Sequence, residues 1–301
     1  MHRPRRRLRE SLAARAHPVV AELPGSHGID SDVEVSFAMK GVDAYDAVLA
    51  TDIPTGRVRV DGIITAQKVM AESGLDVISA ISCRHRSLEA SVARLLGLWA
   101  SGVQNIYVVM GDPTPSSSAK EATYGLPKST ELIRTVKSMG TGRFEVGGVA
   151  HTLPHPVDFF IGSALLPSRE GEVELLRKKL DSGVDFLVTQ VVFEPDSLVD
   201  FVDRASSQGL AVRVPIFATL PLPSRASSLE RISGMEGVKM PPGLLSAITS
   251  SPDIEGSCFR LAVETFSSLA GSLGGSKLGS YVLPMRGSKR AAELARLLGS
   301  T

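Results

Sequence analysis

The stretch Asn105-Ile-Tyr-Val-Val-Met-Gly-Asp112, followed directly by Pro113-Thr-Pro115, decides the fold of this chain. Its apolar run predicts a fully buried strand. The strand ends at Gly111, a carboxylate follows at Asp112, and the next proline prevents the strand from continuing. In barrels and open sheets of parallel strands, ligands bind at this carboxyl end. Gly-Asp is also a common turn pair, so Asp112 taken alone is equally compatible with a turn-forming role.

The rest of the chain repeats this pattern, because apolar, β-branched runs alternate with segments of helical period. The predicted strands are Val19–Leu23, Ala47–Thr51, Val77–Cys83, Ile106–Met110, Phe159–Leu166, Phe186–Phe193, Val212–Thr219 and Ser280–Leu283. Strands that are apolar on both faces and alternate with helices form parallel βαβ units. Eight such units predict an α/β protein with a single (β/α)8 TIM barrel.

A doubly wound open sheet is the alternative fold. It would usually carry a GxGxxG turn after its first strand, whereas Glu22-Leu-Pro-Gly-Ser-His-Gly28 does not fit that pattern. The Pro- and Ser-rich patches are short enough to be βα loops, so we expect one barrel domain over residues 1–301. A small excursion is expected before the fifth strand, at about residues 140–157.

Bulk composition excludes several classes of partner. The 301 residues carry 33 basic and 32 acidic side chains, a net charge of +1, which argues against a nucleic-acid partner. The two cysteines, Cys83 and Cys258, cannot build a disulfide framework, so a cytoplasmic location is expected. No apolar run reaches the roughly 18 residues of a membrane span, so no membrane partner is expected.

The N-terminus has one local bias, a cluster of arginines at Arg3, Arg5, Arg6, Arg7 and Arg9. A targeting peptide or a nucleic-acid-binding arm would also be rich in arginine. Because Glu10 interrupts the cluster and no apolar core follows, we favour a solvated, basic amphipathic helix at about residues 1–16.

Polar side chains follow most of the predicted strands and would meet at one rim of a barrel. They include Glu22, Thr51, Asp52, Ser82, Arg84, Asp112, Ser163, Thr189, Gln190 and Tyr281. Of the best-placed groups, only Glu22 and Asp112 are carboxylates able to act as acid or base. Glu22 is equally compatible with a capping or salt-bridge role.

Four further polar or reactive side chains could form part of a site. Gln190 lies inside an apolar strand and needs a dedicated partner, either a buried network or, as we favour, a ligand. Cys83 is interpreted as a small core hydrophobe rather than a nucleophile. His151 and His155 are four residues apart in a Pro-rich loop, without helical metal-ligand spacing, and no metal site is predicted.

Several blocks together resemble the methylenetetrahydrofolate reductase family. They are Asn105–Pro113, Phe159–Pro167 and the stretch Glu174–Gln190, in which a lysine-rich helix end is followed by Asp-Ser-Gly and a strand closing in Thr-Gln. Thr51–Pro54 and Ile81–Arg84 also match in place and order. The similarity runs from about Val19 to Arg286.

The resemblance implies a barrel that contains FAD and takes hydride from NADH or NADPH to reduce 5,10-methylenetetrahydrofolate to 5-methyltetrahydrofolate. Glu22 would be the general acid that helps to open the five-membered ring of the folate, a role that needs a proton on the carboxyl at neutral pH. Asp112 would lie near both flavin and pterin, with Gln190 and Tyr281 binding the substrate. The resemblance assigns FAD binding to Thr51, Ser82, Gly111, Asp112, Tyr124, Leu166 and Lys179, the lysine facing the diphosphate.

The chain also departs from the family pattern where a flavin would lie. It has Leu23-Pro24-Gly25 in place of a double proline, Ala80 where many members carry His or Gln, and Met110 where Arg or Thr often stands. The fifth predicted strand ends in Leu165-Leu166-Pro167, without the polar or aromatic neighbour often seen there. Each change removes a polar partner of the flavin.

These departures keep other functions open. One is a flavin-free reductase with direct hydride transfer, and another is a non-catalytic pterin-binding or accessory barrel of one-carbon metabolism. An unrelated aldolase or isomerase would need a phosphate loop or a strand lysine, which the sequence does not supply convincingly. No ribose selector separates NADH from NADPH, and a homo-oligomer is compatible with the sequence.

Overall fold

A computed structural model describes residues 3–25, 29–54, 60–84, 86–111, 128–273, 277–285 and 288–300. Its strands are Val19–Glu22 (β1), Ala47–Ala50 (β2), Asp76–Ser82 (β3), Asn105–Val109 (β4), Arg143–Val146 (β5), Val149–Thr152 (β6), Phe160–Leu165 (β7), Phe186–Val191 (β8), Ile216–Leu222 (β9) and Leu278–Pro284 (β10). Within the described residues, eight parallel strands close into a barrel in the order β1-β10-β9-β8-β7-β4-β3-β2. The predicted (β/α)8 barrel is therefore confirmed.

Helices connect the barrel strands and cover their outer faces. They are Leu8–Ala14 (α1), Asp32–Lys40 (α2), Gly62–Ser73 (α3), Leu88–Ser101 (α4), Ser129–Met139 (α5), Glu172–Asp181 (α6), Pro195–Ser207 (α7), Ala226–Ser233 (α8), Leu244–Thr249 (α9), Ile254–Ser272 (α10) and Ala291–Ser300 (α11). No helix in the described part of the chain combines the length and apolar character needed to cross a bilayer.

The β5–β6 pair is an antiparallel hairpin between α5 and β7, separate from the barrel. It occupies the middle of the segment in which an excursion was expected. Phe144 on β5 stacks on His151 of β6, with ring centroids 5.0 Å apart. His151 therefore packs against an aromatic ring in the hairpin.

The seventh barrel strand differs from its predicted bounds. It was expected at Val212–Thr219 but runs from Ile216 to Leu222, through Pro221. The register of β9 with β8 shifts between Val188 and Val191, and β8 ends there. Pro221 then lies opposite β10 alone, where a missing N–H does not interrupt a central ladder. The sequence analysis assigned Pro221 to a loop, because the early end of the neighbouring strand β8 is not evident from the sequence.

Alternate residues of each strand fill the barrel or pack beneath the helices. In the lower half of the interior, meaning the half nearer the amino ends of the strands, the ring centroid of Phe186 lies 5.1 Å from that of Phe160 and 5.8 Å from that of Phe217. Two glycines make room for these rings. A Cβ at Gly162 would lie 2.3 Å from the Phe186 ring, and one at Gly279 would lie 2.6 Å from the Phe217 ring.

Helix α1 closes the amino-terminal end of the barrel. Leu8 and Leu12 are buried against the interior cluster that contains Val20, Ile78 and Phe186. The backbone N–H of Leu8 donates to Asp76 Oδ2 at 2.8 Å. The expectation of a merely solvated helix was therefore wrong, because one face of α1 is part of the core.

The N-terminal arginines fasten this helix to the barrel. Arg7 pairs with Asp76 at 3.3 Å, and Arg15 pairs with Asp46 at 3.0 Å. Arg9 pairs with Asp158 at 2.8 Å, and its guanidinium carbon lies 5.1 Å from the centroid of the Phe160 ring. Part of the basic cluster thus neutralises carboxylates at the lower end of the barrel.

We predict that Leu8→Ala lowers the free energy of unfolding by about 2–5 kcal/mol, because Leu8 is fully buried in the barrel floor. Leu297→Ala on α11 is the control, because Leu297 is 44% exposed, and its cost should stay near or below about 0.5 kcal/mol. Urea unfolding followed by circular dichroism measures both. Equal, small effects of the two substitutions would show that α1 does not belong to the core.

Candidate active site

Glu22 and Tyr281 meet inside the barrel near the carboxyl ends of their strands. Glu22 is the last residue of β1. It lies two residues after Val20, on the same inward-facing side of the strand. Tyr281, on the neighbouring strand β10, points into the same interior. Its hydroxyl donates a hydrogen bond to Glu22 Oε2 at 2.7 Å. A carboxyl and a phenol are thus held in contact at the mouth of the barrel.

A second phenol, Tyr107 on β4, belongs to the same interior group. Burial raises the pKa of Tyr107, and the nearby charge of Glu22 raises it further. Sequence reading missed Tyr107, because it was counted as one of the apolar residues of its strand. The alternation of side chains along β4 could have identified it. Ile106 and Val108 are buried in the outer core, so Tyr107 between them faces the barrel interior.

The ends of β3 and β4 are fastened closely together. Gly111 has φ +83°, and a Cβ there would lie 1.8 Å from Ser82 Oγ. Ser82 Oγ donates to the carbonyl of Met110 at 3.3 Å, and Arg84 Nε donates to that of Gly111 at 3.0 Å. This glycine is therefore required both by its conformation and by the approach of Ser82. The Met110 side chain at this rim is 44% exposed.

Two residues predicted for the site, Asp112 and Tyr124, lie in segment 112–127, outside the described residues. Their proposed contacts with pterin and flavin stay predictions. Gly111, the residue before Asp112, lies beside Ser82 at the rim.

Asp52, just after β2, anchors the connection that leads to α3. It accepts from the backbone N–H of Ser82 at 2.9 Å and pairs with the guanidinium groups of Arg86 and Arg94. Arg94 also bonds Asp61, the residue that caps α3, at 2.6 Å. Burial alone would raise the pKa of Asp52, but the two arginines and the Ser82 N–H together hold it below its usual value.

Thr51, predicted to contact FAD, lies between β2 and this ion-pair network and is half-buried. A Cβ at Gly62 would lie 3.0 Å from the Thr51 carbonyl, so the start of α3 approaches this rim closely. The network therefore holds the backbone of Thr51, and any cofactor role of that residue stays a prediction.

Gln190 is the penultimate residue of β8 and is held by a segment that the sequence analysis did not single out. Its Nε2 donates to the carbonyl of Glu236 at 2.8 Å, and its Oε1 accepts from the Val191 N–H at 2.9 Å. A Cβ at the next residue, Gly237, would lie 3.3 Å from Leu166 Cδ2 at the end of β7. The chain after α8 thus packs over the ends of β7 and β8, and a pterin would have to compete with it for the Gln190 amide.

Lys179 is enclosed rather than directed into an open site. It is 4% exposed, donates to the carbonyl of Ala164, and pairs with Glu172 at 3.3 Å. Burial lowers the pKa of Lys179, and the Glu172 carboxylate opposes that shift. Arg169 also pairs with Glu172. The predicted contact between Lys179 and a flavin diphosphate would require this ion pair to open.

Cys83 follows β3 and is fully buried within the outer core. Burial raises the pKa of its thiol to about 12, so it is a poor nucleophile at neutral pH. The interpretation of Cys83 as a core hydrophobe is confirmed.

The fold and this group of side chains define a class of protein, the (β/α)8 barrel with a candidate acid at the carboxyl ends of its strands. The family model for methylenetetrahydrofolate reductase matches residues 37–269. The chain belongs to the methylenetetrahydrofolate reductase family. Glu22 and Tyr281 lie outside the matched range, so their assignment rests on the barrel geometry and on the resemblance of the flanking segments.

Individual relatives are distant. Methylenetetrahydrofolate reductase 1 of Schizosaccharomyces pombe is 24% identical over 186 residues, which is 62% of this chain and 29% of the relative. The 5,10-methylenetetrahydrofolate reductase of Pectobacterium carotovorum is 25% identical over 173 residues, which is 58% of this chain and 52% of the relative. The chain therefore spans less than a third of the yeast relative and about half of the bacterial one.

A solved structure shares the fold over nearly the whole chain. It is a Clostridium thermocellum protein described as binding two copies of 5-methyl-5,6,7,8-tetrahydrofolic acid. The match has a TM-score of 0.69 and 15% identity, and covers 97% of this chain and 98% of that one.

We predict that Asp52→Asn destabilises the protein by about 3–5 kcal/mol, because it removes the buried carboxylate that pairs with Arg86 and with the nearly buried guanidinium of Arg94. Asp43→Asn is the matched control, since its pair with Arg296 is exposed on both sides, and we expect an unchanged unfolding midpoint. Denaturant unfolding measures both.

The pH dependence gives a second check on Asp52. Its pKa is lowered by folding, so its contribution is present above about 3.8 and is lost as the pH falls below that value. The difference in stability between wild type and Asp52→Asn should therefore narrow in acid. A difference that stays constant down to pH 3 would contradict the ion-pair explanation.

Proposed function

We propose that this protein reduces 5,10-methylenetetrahydrofolate to 5-methyltetrahydrofolate with hydride from a reduced nicotinamide. Membership of the family supports this reaction class. The observation that carries the proposal is the Glu22 carboxyl inside the barrel mouth, hydrogen-bonded to Tyr281 at 2.7 Å. A half-buried carboxyl at the carboxyl ends of barrel strands is suitably placed to act on a bound substrate.

The chemistry needs one proton and one hydride. Glu22 donates its proton to the ring nitrogen that leaves the bridging methylene carbon, and the bond between that nitrogen and carbon breaks. The methylene group remains on the other nitrogen as a cationic iminium, and the hydride adds to its carbon to give the methyl group. The nicotinamide is oxidised in the same turnover. A positioned general acid contributes about 10²–10⁴-fold to such a step.

Substrate binding would involve Gln190 at the end of β8 and Asp112 beyond β4. The Gln190 amide is directed to the Glu236 carbonyl, and a pterin ring could take over this donor by displacing the covering segment. Tyr107 also faces this interior and adds a second phenol to that of Tyr281.

FAD, when bound, would accept hydride from the nicotinamide and pass it to the folate. Its described candidate ligands are Thr51, Ser82, Gly111, Leu166 and Lys179. These residues fit a flavin poorly, because the Lys179 ammonium is buried with Glu172 and Met110 offers only a thioether at the rim. Direct hydride transfer from the nicotinamide is consistent with this set of residues.

The absorption spectrum of the purified protein tests the flavin assignment. Visible oxidised-flavin bands that are bleached by NADH or NADPH would support FAD. Reductase activity without these bands would support direct transfer. The same titration compares NADH with NADPH as the donor.

A second candidate function is a barrel that binds a reduced folate without turning it over. The structural neighbour described as a 5-methyltetrahydrofolic acid-binding protein favours it. Binding of 5-methyltetrahydrofolate, with no turnover of 5,10-methylenetetrahydrofolate by either nicotinamide, would establish this function instead.

We also propose a cytoplasmic setting for the protein. Cys83 and Cys258 are both free thiols and both buried, which suits a protein of the reducing cytoplasm. Its partners would be the folate and the nicotinamide.

We predict that Glu22→Gln lowers the rate of folate reduction by about 10²–10⁴-fold, because the amide cannot donate the proton. Binding of 5-methyltetrahydrofolate, followed by calorimetry, should persist, because the amide preserves the shape of the site. Glu174→Gln on the exposed face of α6 is the control for loss of a glutamate, and its activity should equal that of wild type. Turnover at the wild-type rate in Glu22→Gln would contradict the proposed reaction.

A further inference from the structure

We propose that Tyr281 is a positioning residue for Glu22, whose phenol holds the carboxyl at Oε2 and sets the pH range over which Glu22 delivers its proton. This inference rests on the proposed function, and it differs from the substrate-binding role that the family resemblance implies for Tyr281. The difference is that the Tyr281 hydroxyl is already engaged by the protein.

The phenol is held by the barrel itself. Tyr281 is 4% exposed and lies between Val20 of β1 and Thr219 of β9 in the strand register. Two residues earlier, Gly279 allows β10 to pack directly against the Phe217 ring. Because Tyr281 is buried in the interior cluster on a strand paired on both sides, its hydroxyl is held where it reaches Glu22.

The direction of the hydrogen bond is also determined. Burial raises the pKa of Tyr281 well above its usual range, and the charge of Glu22 raises it further. The phenol therefore stays protonated and donates a hydrogen bond to the carboxyl. A donor directed at one carboxyl oxygen favours the ionised form and restricts rotation of the group.

Several charged groups that the structure describes near β1 are paired with partners of their own. On β10 and β4 the titratable neighbours are the two phenols, Tyr281 and Tyr107. Beyond β2, Asp52 is taken up by Arg86 and Arg94. At the start of β1, Asp46 pairs with Arg15 of the N-terminal segment, and on α11 Arg296 pairs with Asp43 at the surface. Tyr281 donates a hydrogen bond to the Glu22 carboxyl and is itself held in place by the packing of the barrel strands.

The test is the pH dependence of kcat in Tyr281→Phe. Loss of the donor removes stabilisation of the carboxylate, so Glu22 keeps its proton to higher pH. We expect the falling limb of the kcat profile to move up by about one pH unit. KM for the folate should stay within about twofold, because no substrate contact is removed. Tyr45→Phe is the matched control, since Tyr45 is equally buried but stacks on Phe37 away from the site.

The outcomes separate the alternatives. A raised KM with an unchanged pH profile would overturn the proposal and make Tyr281 a substrate contact. An unchanged profile and an unchanged KM would overturn it as well. Retained activity in Glu22→Gln would instead defeat the proposed function, whatever Tyr281→Phe shows.

A second variant covers the case in which Tyr281→Phe does not fold. Site-specific replacement of Tyr281 by a fluorotyrosine keeps the shape of the ring and makes the hydroxyl a stronger donor. The falling limb should then move to lower pH, opposite to the shift expected for phenylalanine. A limb that does not move, or that moves upward, would overturn the proposal.

Discussion

Pairing of the first barrel strand with the last is the constraint on which the rest of the structure depends. It sets Val20 opposite Tyr281 and closes eight parallel strands into a ring. Closure brings Glu22 and Tyr281 together across 259 residues of sequence, within a single hydrogen bond. An open sheet of the same strands would leave β1 and β10 at its edges and would not form the carboxyl–phenol pair.

A closed barrel must also be filled and sealed. The aromatic rings of Phe160, Phe186 and Phe217 occupy the lower interior, with glycines on adjacent strands where side chains would collide. Helix α1 seals the amino-terminal end with Leu8 and Leu12. With the lower interior filled and sealed, the Glu22–Tyr281 pair lies toward the carboxyl ends of the strands.

The fold was predictable because the pattern that carries it is local. Runs such as Ile106–Met110 and Phe186–Phe193, separated by helical segments, predict parallel βαβ units whatever the rest of the chain does. Errors arose where a neighbour decided the outcome. β9 continues through Pro221 because β8 ends early, and α1 is buried because the barrel end needs a cover. Tyr107 was missed because it was counted among the apolar residues of its strand. Only the alternation of side chains in a closed barrel places its hydroxyl inside.

The sequence by itself determined the alternation of buried strands and helices, the family resemblance, and the candidate carboxyl at Glu22. Each depends on residue types at short spacing, which the chain carries without reference to its partners in space. Only the tertiary structure decided that Tyr281 bonds to Glu22, that Gln190 is held by the Glu236 carbonyl, and that Lys179 is committed to Glu172. Hydrogen bonds and ion pairs join particular atoms a few ångströms apart. For side chains distant in sequence, closure and packing decide which atoms meet.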